Sequence, residues 1–256
     1  MKETIPTPIY LKTTTSTNNY LQTYLEEQPE TECWQVVYTD NQTEGRGQRG
    51  NIWVSEPGKN LTMSILFRSS KQREEFHPFD ISVFVSLAIR TVIKEYLPGG
   101  KKVSIKWPND IFVGDKKVAG ILIENEWEGS VFKQAVVGIG INLNQMLFDS
   151  QDAPNATSVL IEREDGKEVD IYTFMMRCLE EIVKIWRQMK VDFVSPRDEY
   201  NNLLYRKDGR LHEFETAEGI LSMMVEGVDT DGMLLLYDPA TDKRCKFAFK
   251  EVSYIL

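Results

Sequence analysis

The chain has 256 residues, of which 41 % are hydrophobic, and its formal net charge is -9 with a pI of about 5.0. This composition allows a sizeable core and excludes gross disorder, and the lack of a basic stripe argues against a nucleic-acid partner. The N-terminus lacks the apolar core of a signal peptide and no apolar run is long enough to span a membrane, so we expect a cytoplasmic protein without a membrane partner.

The first part of the chain alternates predicted helices and strands. Ser16-Thr17-Asn18 precedes an apolar stretch and predicts a short, capped helix. Residues 34–39 predict a strand that runs into a glycine-arginine loop, and the alternation over 61–65 predicts a half-buried strand. A strong helix follows, with these apolar side chains on one face: Ile81, Phe84, Val85, Ala88, Ile89, Val92 and Ile93.

The middle of the chain predicts short strands separated by tight turns. Residues 104–107 form one strand, and 111–113 pair with 118–123 in a hairpin that turns at Gly114-Asp115. Residues 136–144 form a further strand, whose glycines would let a ligand approach the backbone closely.

The C-terminal part predicts two helices and then a change of pattern. Asp170 caps the first helix and Ser195-Pro196 begins the second. From about Leu211 the chain shows short strands and turns, and roughly 45 residues are too few for a robust independent core. We therefore expect a catalytic domain over 1–208 with a small β-barrel over 209–256 docked on it. The predicted fold class is α+β, with a mixed or antiparallel sheet.

Gly45 to Gly50 reads G-R-G-Q-R-G and formally matches the G-x-G-x-x-G dinucleotide fingerprint. That fingerprint needs a helix directly after the loop, whereas residues 51–54 are extended in character. Taken alone, the loop fits a solvated surface turn as well as it fits a binding site. Two arginines among three glycines favour a loop that closes over an anion.

A second unusual segment is Lys106-Trp107-Pro108-Asn109-Asp110. The proline ends a strand and fixes the turn, which leaves an amide and a carboxylate at a strand end. By itself the segment is better explained as an ordinary turn. Its pairing with Lys117 and with the glycine-bearing strand shifts the balance towards a site. Because side chains alternate along a strand, only one of Lys116 and Lys117 can serve that site. The two segments together predict a site that binds ATP phosphates and activates a carboxylic acid.

Other chemistries lack the motifs that they need. The sequence has no Walker loop, GxSxG elbow or HExxH motif. His77 and His212 are the only histidines, so we predict no metal site built by the protein. Cys33, Cys178 and Cys245 are far apart and form no CxxC pair, which predicts reduced thiols.

In their order and spacing, these motifs resemble those of the biotin protein ligases. The resemblance covers nearly the whole chain and rests on Ser16-Thr17-Asn18, Gln42, Gly45-Arg46-Gly47, Trp53, Lys106 to Asp110, Lys117 to Gly120, and Gly138 to Asn142. It implies a class II synthetase-like catalytic domain and an SH3-like C-terminal barrel. It also implies that biotin and Mg-ATP give biotinyl-5′-AMP and pyrophosphate, after which biotin passes to one lysine of a biotin carboxyl carrier protein or carboxylase biotinyl domain.

The resemblance further implies roles for individual residues. The expected biotin-binding residues are Ser16, Thr17, Gln42, Gly45, Arg46, Lys117, Gly120 and Gly138. The expected nucleotide-binding residues are Arg46, Arg49, Trp53, Lys106, Asn109 and Asn142. The expected catalytic residues are Lys117, which would lie between the biotin carboxylate and the α-phosphate, Arg46, and Asp110, which would orient the incoming amine or the metal-nucleotide.

The sequence departs from the family pattern at Gln48, where arginine is frequent, and this weakens the transfer of an adenylate-retaining charge to that position. Only 15 residues precede Ser16, so we expect no N-terminal DNA-binding domain and no repressor role. A lipoate or octanoyl ligase is one alternative, but Gly45 to Gly50 does not match its Arg-Arg-x-Ser-Gly-Gly-Gly type segment. A non-catalytic biotin- or nucleotide-binding protein is another, disfavoured by Lys117 and Arg46. Both a monomer and a homodimer stay open.

Overall fold

The described part of the computed structural model contains a seven-stranded sheet and a five-stranded sheet. The described residues are 7–28, 34–68, 76–129, 131–149, 153 and 155–255, so the predicted thiol of Cys33 lies outside them. The strands of the first sheet are β1 (Ile9–Thr14), β2 (Val36–Gln42), β3 (Leu61–Arg68), β4 (Val103–Lys106), β5 (Asp110–Val113), β6 (Lys116–Glu128) and β7 (Val131–Ile141). Those of the second are β8 (His212–Thr216), β9 (Gly219–Val228), β10 (Leu234–Asp238), β11 (Lys243–Phe247) and β12 (Val252–Tyr254). The helices are α1 (Thr17–Glu27), α2 (Phe79–Tyr96), α3 (Val159–Glu162), α4 (Ile171–Met189) and α5 (Val194–Asn202).

The first sheet is mixed and the second is antiparallel. In space the first sheet runs β1-β2-β3-β7-β6-β5-β4, where β1 pairs with β2 in parallel and the remaining neighbours are antiparallel. The second runs β11-β10-β9-β8-β12. The predicted α+β class with a mixed sheet and a separate C-terminal sheet is thus confirmed, while the division at residues 208 and 209 stays a prediction.

Helices cover both faces of the first sheet. On one face, Phe84 of α2 and Trp186 of α4 contact Phe67 of β3, and Trp186 meets Phe67 edge-on with ring centroids 4.7 Å apart. On the other face Leu21 and Leu25 of α1 form a smaller apolar cluster with Leu66 and its neighbours. The prediction of a half-buried β3 is therefore wrong, because the strand is covered on both sides and seven of its eight residues are buried.

Helix starts follow the predicted positions closely, with one difference in chemistry. Asp170 caps α4, since its side chain accepts a hydrogen bond of 2.7 Å from the backbone N–H of Thr173. Ser16 occupies the equivalent position ahead of α1, but its side chain makes no capping hydrogen bond. Ser16 lies on the wall of a cavity, and the expected serine cap is wrong in its side-chain detail. Of the described helices, none is long and apolar enough to cross a membrane.

A buried ion pair joins α2 to α5. The Asp80 carboxylate is 1 % exposed and accepts hydrogen bonds from the Arg197 guanidinium at 2.7 and 2.8 Å. Farther along α5, the Tyr200 hydroxyl donates to the carbonyl oxygen of Pro108 at 3.1 Å. The ion pair therefore fixes a helix that supports the turn after β4.

The second sheet docks on the first through polar contacts to that same region. Trp107 donates its indole N–H to the carbonyl oxygen of Gly232 at 3.0 Å. Asn201 bonds both backbone groups of Val228, accepting at 2.6 Å and donating at 3.1 Å. These contacts hold the second sheet against the turn after β4 and against α5.

Candidate active site

A cavity of about 280 Å³ lies where the N-terminus of α1, the glycine-arginine loop, β6 and β7 meet, and residues of β12 close one side. Most of the residues predicted for the site lie on its wall, namely Ser16, Thr17, Gln42, Arg46, Trp53, Lys106, Asn109, Asp110, Lys117, Gly120 and Gly138. Gly45 and Asn142 are buried next to the cavity but are not part of its wall. Arg49 belongs to a short 3-10 turn, Gln48–Gly50, and its side chain lies outside what the structure describes.

The glycine-arginine loop folds back on itself beside the cavity. The backbone N–H of Gly47 donates to the carbonyl oxygen of Asn51 at 2.7 Å, and that of Trp53 donates to Gly45 at 2.9 Å. A side chain at Gly45 would not fit, since its Cβ would lie 2.2 Å from the carbonyl oxygen of Trp53. The loop is thereby held as a tight hairpin that carries Arg46 and Trp53 to the cavity.

The start of α1 and the end of β2 form one polar end of the cavity. Gln42 Oε1 accepts from the backbone N–H of Thr17 at 2.9 Å and from its hydroxyl at 3.3 Å. Thr17 Oγ1 also lies 2.7 Å from the hydroxyl of Ser64 on β3. Hydroxyl and amide groups are thus arranged together, as a ligand with both N–H and C=O groups requires once it is buried.

A chain of hydrogen bonds continues from this end of the cavity to the glycine-arginine loop. The Ser64 hydroxyl donates to Asn18 Oδ1 at 2.5 Å, and Asn18 Nδ2 donates to Glu124 Oε2 at 2.6 Å. The same carboxylate oxygen accepts from Arg46 at 3.1 Å. Sequence reasoning missed Ser64 and Glu124. Glu124 could have been found from the alternation of side chains along β6, because it follows Gly120 at an even separation and so lies on the same strand face.

Glycines on β7 make room for two of these side chains. A Cβ on Gly138 would lie 2.5 Å from Asn18 Oδ1, and one on Gly140 would lie 2.4 to 2.7 Å from the indole of Trp53. Gly138 was expected to let the backbone approach biotin. In the structure, the space next to it holds the Asn18 amide.

Lys117 reaches the cavity because β6 is irregular. The pairing of β5 with β6 shifts between Ile111 and Phe112, which are opposite Ala119 and Lys117, so that Val118 is the extra residue of a β-bulge. A bulge re-aims the side chains next to it. Lys117 therefore lies on the same side as Gly120, whose Cβ would be 3.2 Å from Lys117 Nζ.

The Lys117 ammonium is fixed by a charged partner. Its Nζ lies 2.7 Å from Asp110 Oδ1 and 5.7 Å from the ring centroid of Trp53. Lys116, in contrast, is exposed and is not part of the cavity wall. Lys117 therefore lies on the cavity wall and Lys116 does not, as the alternation of side chains along a strand predicts.

Lys106 occupies an aromatic environment at the side of the cavity. Its Nζ lies 5.3 Å from the ring centroid of Phe112 and 5.2 Å from that of Tyr254 on β12. Burial lowers the pKa of the Lys106 ammonium, because water is removed from the charged form. A cation held between rings in this way can still attract a phosphate.

The side-chain amides of Asn109 and Asn142, both predicted site residues, donate hydrogen bonds within the fold. Asn109 Nδ2 donates a short hydrogen bond to the carbonyl oxygen of Ile121, which ties the turn after β4 to β6. Asn142 Nδ2 donates to the carbonyl oxygen of Thr157 at 3.0 Å, whereas Asn142 Oδ1 is buried without a partner among the described residues. The indole N–H of Trp53 is buried without a described partner as well. Buried polar atoms normally find a partner, so these two are candidates for ligand contacts.

The described residues contain no group of three or more His, Cys, Asp or Glu side chains that could hold a metal ion. Asp110 is the carboxylate on the cavity wall, and its contact with Lys117 occupies one oxygen.

Comparison with known proteins identifies the family of the chain. The model of a family described as the Biotin/lipoate A/B protein ligase family matches residues 10–142. The bifunctional ligase/repressor BirA of Bacillus subtilis (strain 168) is 28 % identical over 204 residues, which cover 78 % of this chain and 61 % of that protein. The biotin–[acetyl-CoA-carboxylase] ligase of Paracoccus denitrificans is 29 % identical over 208 residues, which cover 80 % of this chain and 84 % of that one. The chain thus spans less than two thirds of the Bacillus protein.

Solved structures share the fold over nearly the whole chain. The biotin protein ligase of Aquifex aeolicus, in complex with biotin and ATP, superposes with a TM-score of 0.76 at 24 % identity, covering 96 % of this chain and 97 % of that one. The biotin protein ligase of Leishmania major, in complex with biotinyl-5-AMP, gives 0.64 at 22 % identity, covering 95 % and 99 %. At these identities the likeness establishes the fold.

Proposed function

We propose that this chain, which belongs to the biotin/lipoate A/B protein ligase family, is a biotin–protein ligase. The observation that carries the proposal is one cavity whose wall combines Lys117, Asp110 and Arg46 with the polar end formed by Thr17 and Gln42. The Paracoccus relative, which is named as a biotin–[acetyl-CoA-carboxylase] ligase, supports biotin as the acid that is activated. The reaction uses biotin and Mg-ATP and modifies a lysine of a biotin carboxyl carrier domain.

In the first step, an oxygen of the biotin carboxylate attacks the α-phosphorus of ATP and pyrophosphate leaves. Lys117 stabilises the negative charge that grows between carboxylate and phosphate, and Asp110 keeps its ammonium in place at 2.7 Å. Arg46 and Lys106 bind phosphate oxygens. Trp53 and Asn142 bind the nucleotide through the polar atoms that are buried without described partners.

In the second step, the ε-amine of an acceptor lysine attacks the carbonyl carbon of biotinyl-5′-AMP. The C–N amide bond forms as the bond between the acyl carbon and the phosphate oxygen breaks, AMP leaves with that electron pair, and the amine proton is released to solvent. Asp110 is the carboxylate on the cavity wall that can orient this amine. Ser16, Thr17 and Gln42 hold the ureido ring throughout, because its two N–H groups and one carbonyl need partners when buried.

A lipoate–protein ligase and a non-catalytic binding protein are the alternatives. The polar groups around Thr17 and Gln42 suit a ureido ring better than the apolar dithiolane of lipoate, which offers no comparable donors. A binding protein would not need a lysine ammonium fixed by a carboxylate inside the cavity. Both observations favour the biotin ligase.

The proposal is tested by biotin-dependent exchange of labelled pyrophosphate into ATP without an acceptor protein. Exchange with biotin but not with lipoate is expected and would establish the adenylation step together with its substrate. Exchange with lipoate alone would favour the lipoate ligase. Folded protein that exchanges with neither acid would leave the binding protein as the better explanation.

Replacing Ser16 by alanine should raise the Michaelis constant for biotin and leave thermal stability nearly unchanged. Ser16 lies on the cavity wall and its side chain does not cap α1, so we expect the loss of its hydroxyl to remove a ligand contact rather than a helix contact. One lost hydrogen bond in a buried site is worth roughly 1 to 2 kcal/mol, or about 5- to 30-fold in the constant. Steady-state exchange kinetics and the melting temperature measure both quantities.

The neighbouring exposed Thr15 provides the control, since Thr15→Ala changes a hydroxyl outside the cavity. Equal Michaelis constants for the Ser16 and Thr15 variants would remove Ser16 from the biotin site.

Three further statements about the protein stay predictions. They are the division into domains over 1–208 and 209–256, the cytoplasmic location, and the absence of a nucleic-acid partner.

A further inference from the structure

The chain of hydrogen bonds around Glu124 links two parts of the site that are far apart in sequence. Asn18 belongs to α1 and Arg46 to the glycine-arginine loop, and both contact the same carboxylate oxygen, at 2.6 and 3.1 Å. A weaker contact of 3.4 Å comes from the Gln22 amide nitrogen. Glu124 therefore joins the polar end of the cavity to the residue expected to bind phosphate.

The Glu124 carboxylate contacts residues of the cavity wall but does not lie on that wall itself. Asn18 and Arg46 lie on the wall of the cavity, whereas Glu124 lies on the wall of a neighbouring groove formed by α1, β6 and β7. Arg46 thus belongs to the cavity wall, whereas its carboxylate partner does not. This arrangement lets Glu124 hold Arg46 without itself contacting an anionic ligand.

Only part of the hydrogen-bonding capacity of Arg46 is used in this contact. One terminal nitrogen of the guanidinium approaches Glu124, and arginine carries five N–H donors in a fixed fork. The Arg46 side chain is 43 % exposed, so without the carboxylate little else would restrict its rotamers. Binding a ligand through a mobile arginine requires ordering that side chain, which weakens affinity.

We propose that Glu124 is a positioning residue that pre-orients Arg46 for the phosphates of ATP. The proposal rests on the proposed function for its ligand, but it concerns a residue that the family resemblance did not mark. Glu124 acts through Arg46, so its effect must vanish when Arg46 is absent.

The test is ATP binding measured by calorimetry, which requires no turnover. Glu124→Gln keeps an oxygen acceptor for Asn18 and removes the charge that holds Arg46. We expect it to weaken ATP binding roughly 3- to 10-fold, the cost of ordering one long side chain. Biotin affinity should stay within about twofold, because the contact to Asn18 survives.

Glu126→Gln is the matched control, since it makes the same charge change two residues along β6 at a side chain that pairs with Gln134. We expect it to bind ATP like the unmodified protein. In an Arg46→Ala background, Glu124→Gln should produce no further loss. Should Glu124→Gln fold poorly, Glu124→Asp makes the same comparison with the charge kept and its reach shortened.

Three outcomes would overturn the inference. They are an unchanged or tighter affinity for ATP in Glu124→Gln, the same loss in Glu126→Gln, and an equal loss in the Arg46→Ala background. Pyrophosphate exchange by the unmodified protein reports separately on the proposed function. A protein that exchanges but shows no coupling between Glu124 and Arg46 would contradict this inference alone.

Discussion

Replacement of Lys117 by alanine is expected to lower the rate of biotin adenylation by roughly 10² to 10³. The loss of one preorganised charge that contacts a transition state typically costs about 3 to 4 kcal/mol. Preorganisation is visible in the structure, since Asp110 fixes the ammonium at 2.7 Å and the bulge on β6 turns the side chain towards the cavity. The rate of pyrophosphate exchange at saturating biotin and ATP measures this effect.

Lys116→Ala is the matched control, because it removes an exposed lysine next to Lys117 that is not on the cavity wall. We expect its exchange rate to stay within about twofold of the unmodified enzyme. Normal turnover in Lys117→Ala would remove Lys117 from the mechanism. A comparable loss in both variants would indicate that the net charge, rather than the position of Lys117, sets the rate.

Replacement of Arg197 by methionine should lower the free energy of unfolding by about 3 to 5 kcal/mol, because it leaves a buried carboxylate without its charged partner. Asp80 is 1 % exposed and bonds the guanidinium at 2.7 and 2.8 Å. The backbone N–H of His77 would remain as a donor to Asp80, at 2.8 Å, but it carries no compensating charge. Denaturant unfolding followed by circular dichroism measures the change.

The exposed Arg210 gives a control with the same substitution, Arg210→Met, for which we expect a change within about 0.5 kcal/mol. If Arg197→Met unfolded at the same denaturant concentration as Arg210→Met, the buried pair would not contribute to stability. Since Tyr200 on the same helix supports the turn after β4, we also expect reduced exchange activity in Arg197→Met at temperatures where it is still folded.

The regular elements were predictable because their signals are local. The apolar face of α2 and the turn at Gly114-Asp115 were found from residue spacing, and the observed helix and hairpin contain them. The burial of β3 was not found, because it depends on α1 covering a second face of the sheet. Alternation in a strand shows which residues share a face, but not whether that face is covered.

The site was predictable where its residues belong to short motifs and not where they meet through the sheet. Lys117 and Asp110 were singled out from their segments, and the structure joins them directly. Ser64 and Glu124 were missed because each looks like an ordinary polar residue of a strand. Their roles come from the order of β3, β7 and β6 in the sheet, which a single sequence does not state.

The contribution of β12 to the cavity has a consequence for biosynthesis. Tyr254 stands beside Lys106, while Ser16 and Thr17 form the opposite end of the same site. The ribosome synthesises the chain from its N-terminus, so Ser16 and Thr17 are present in the nascent chain long before β12 completes the cavity wall. We therefore expect the growing polypeptide to remain inactive until β12 has emerged from the exit tunnel and docked, which makes catalytic competence a late event in translation.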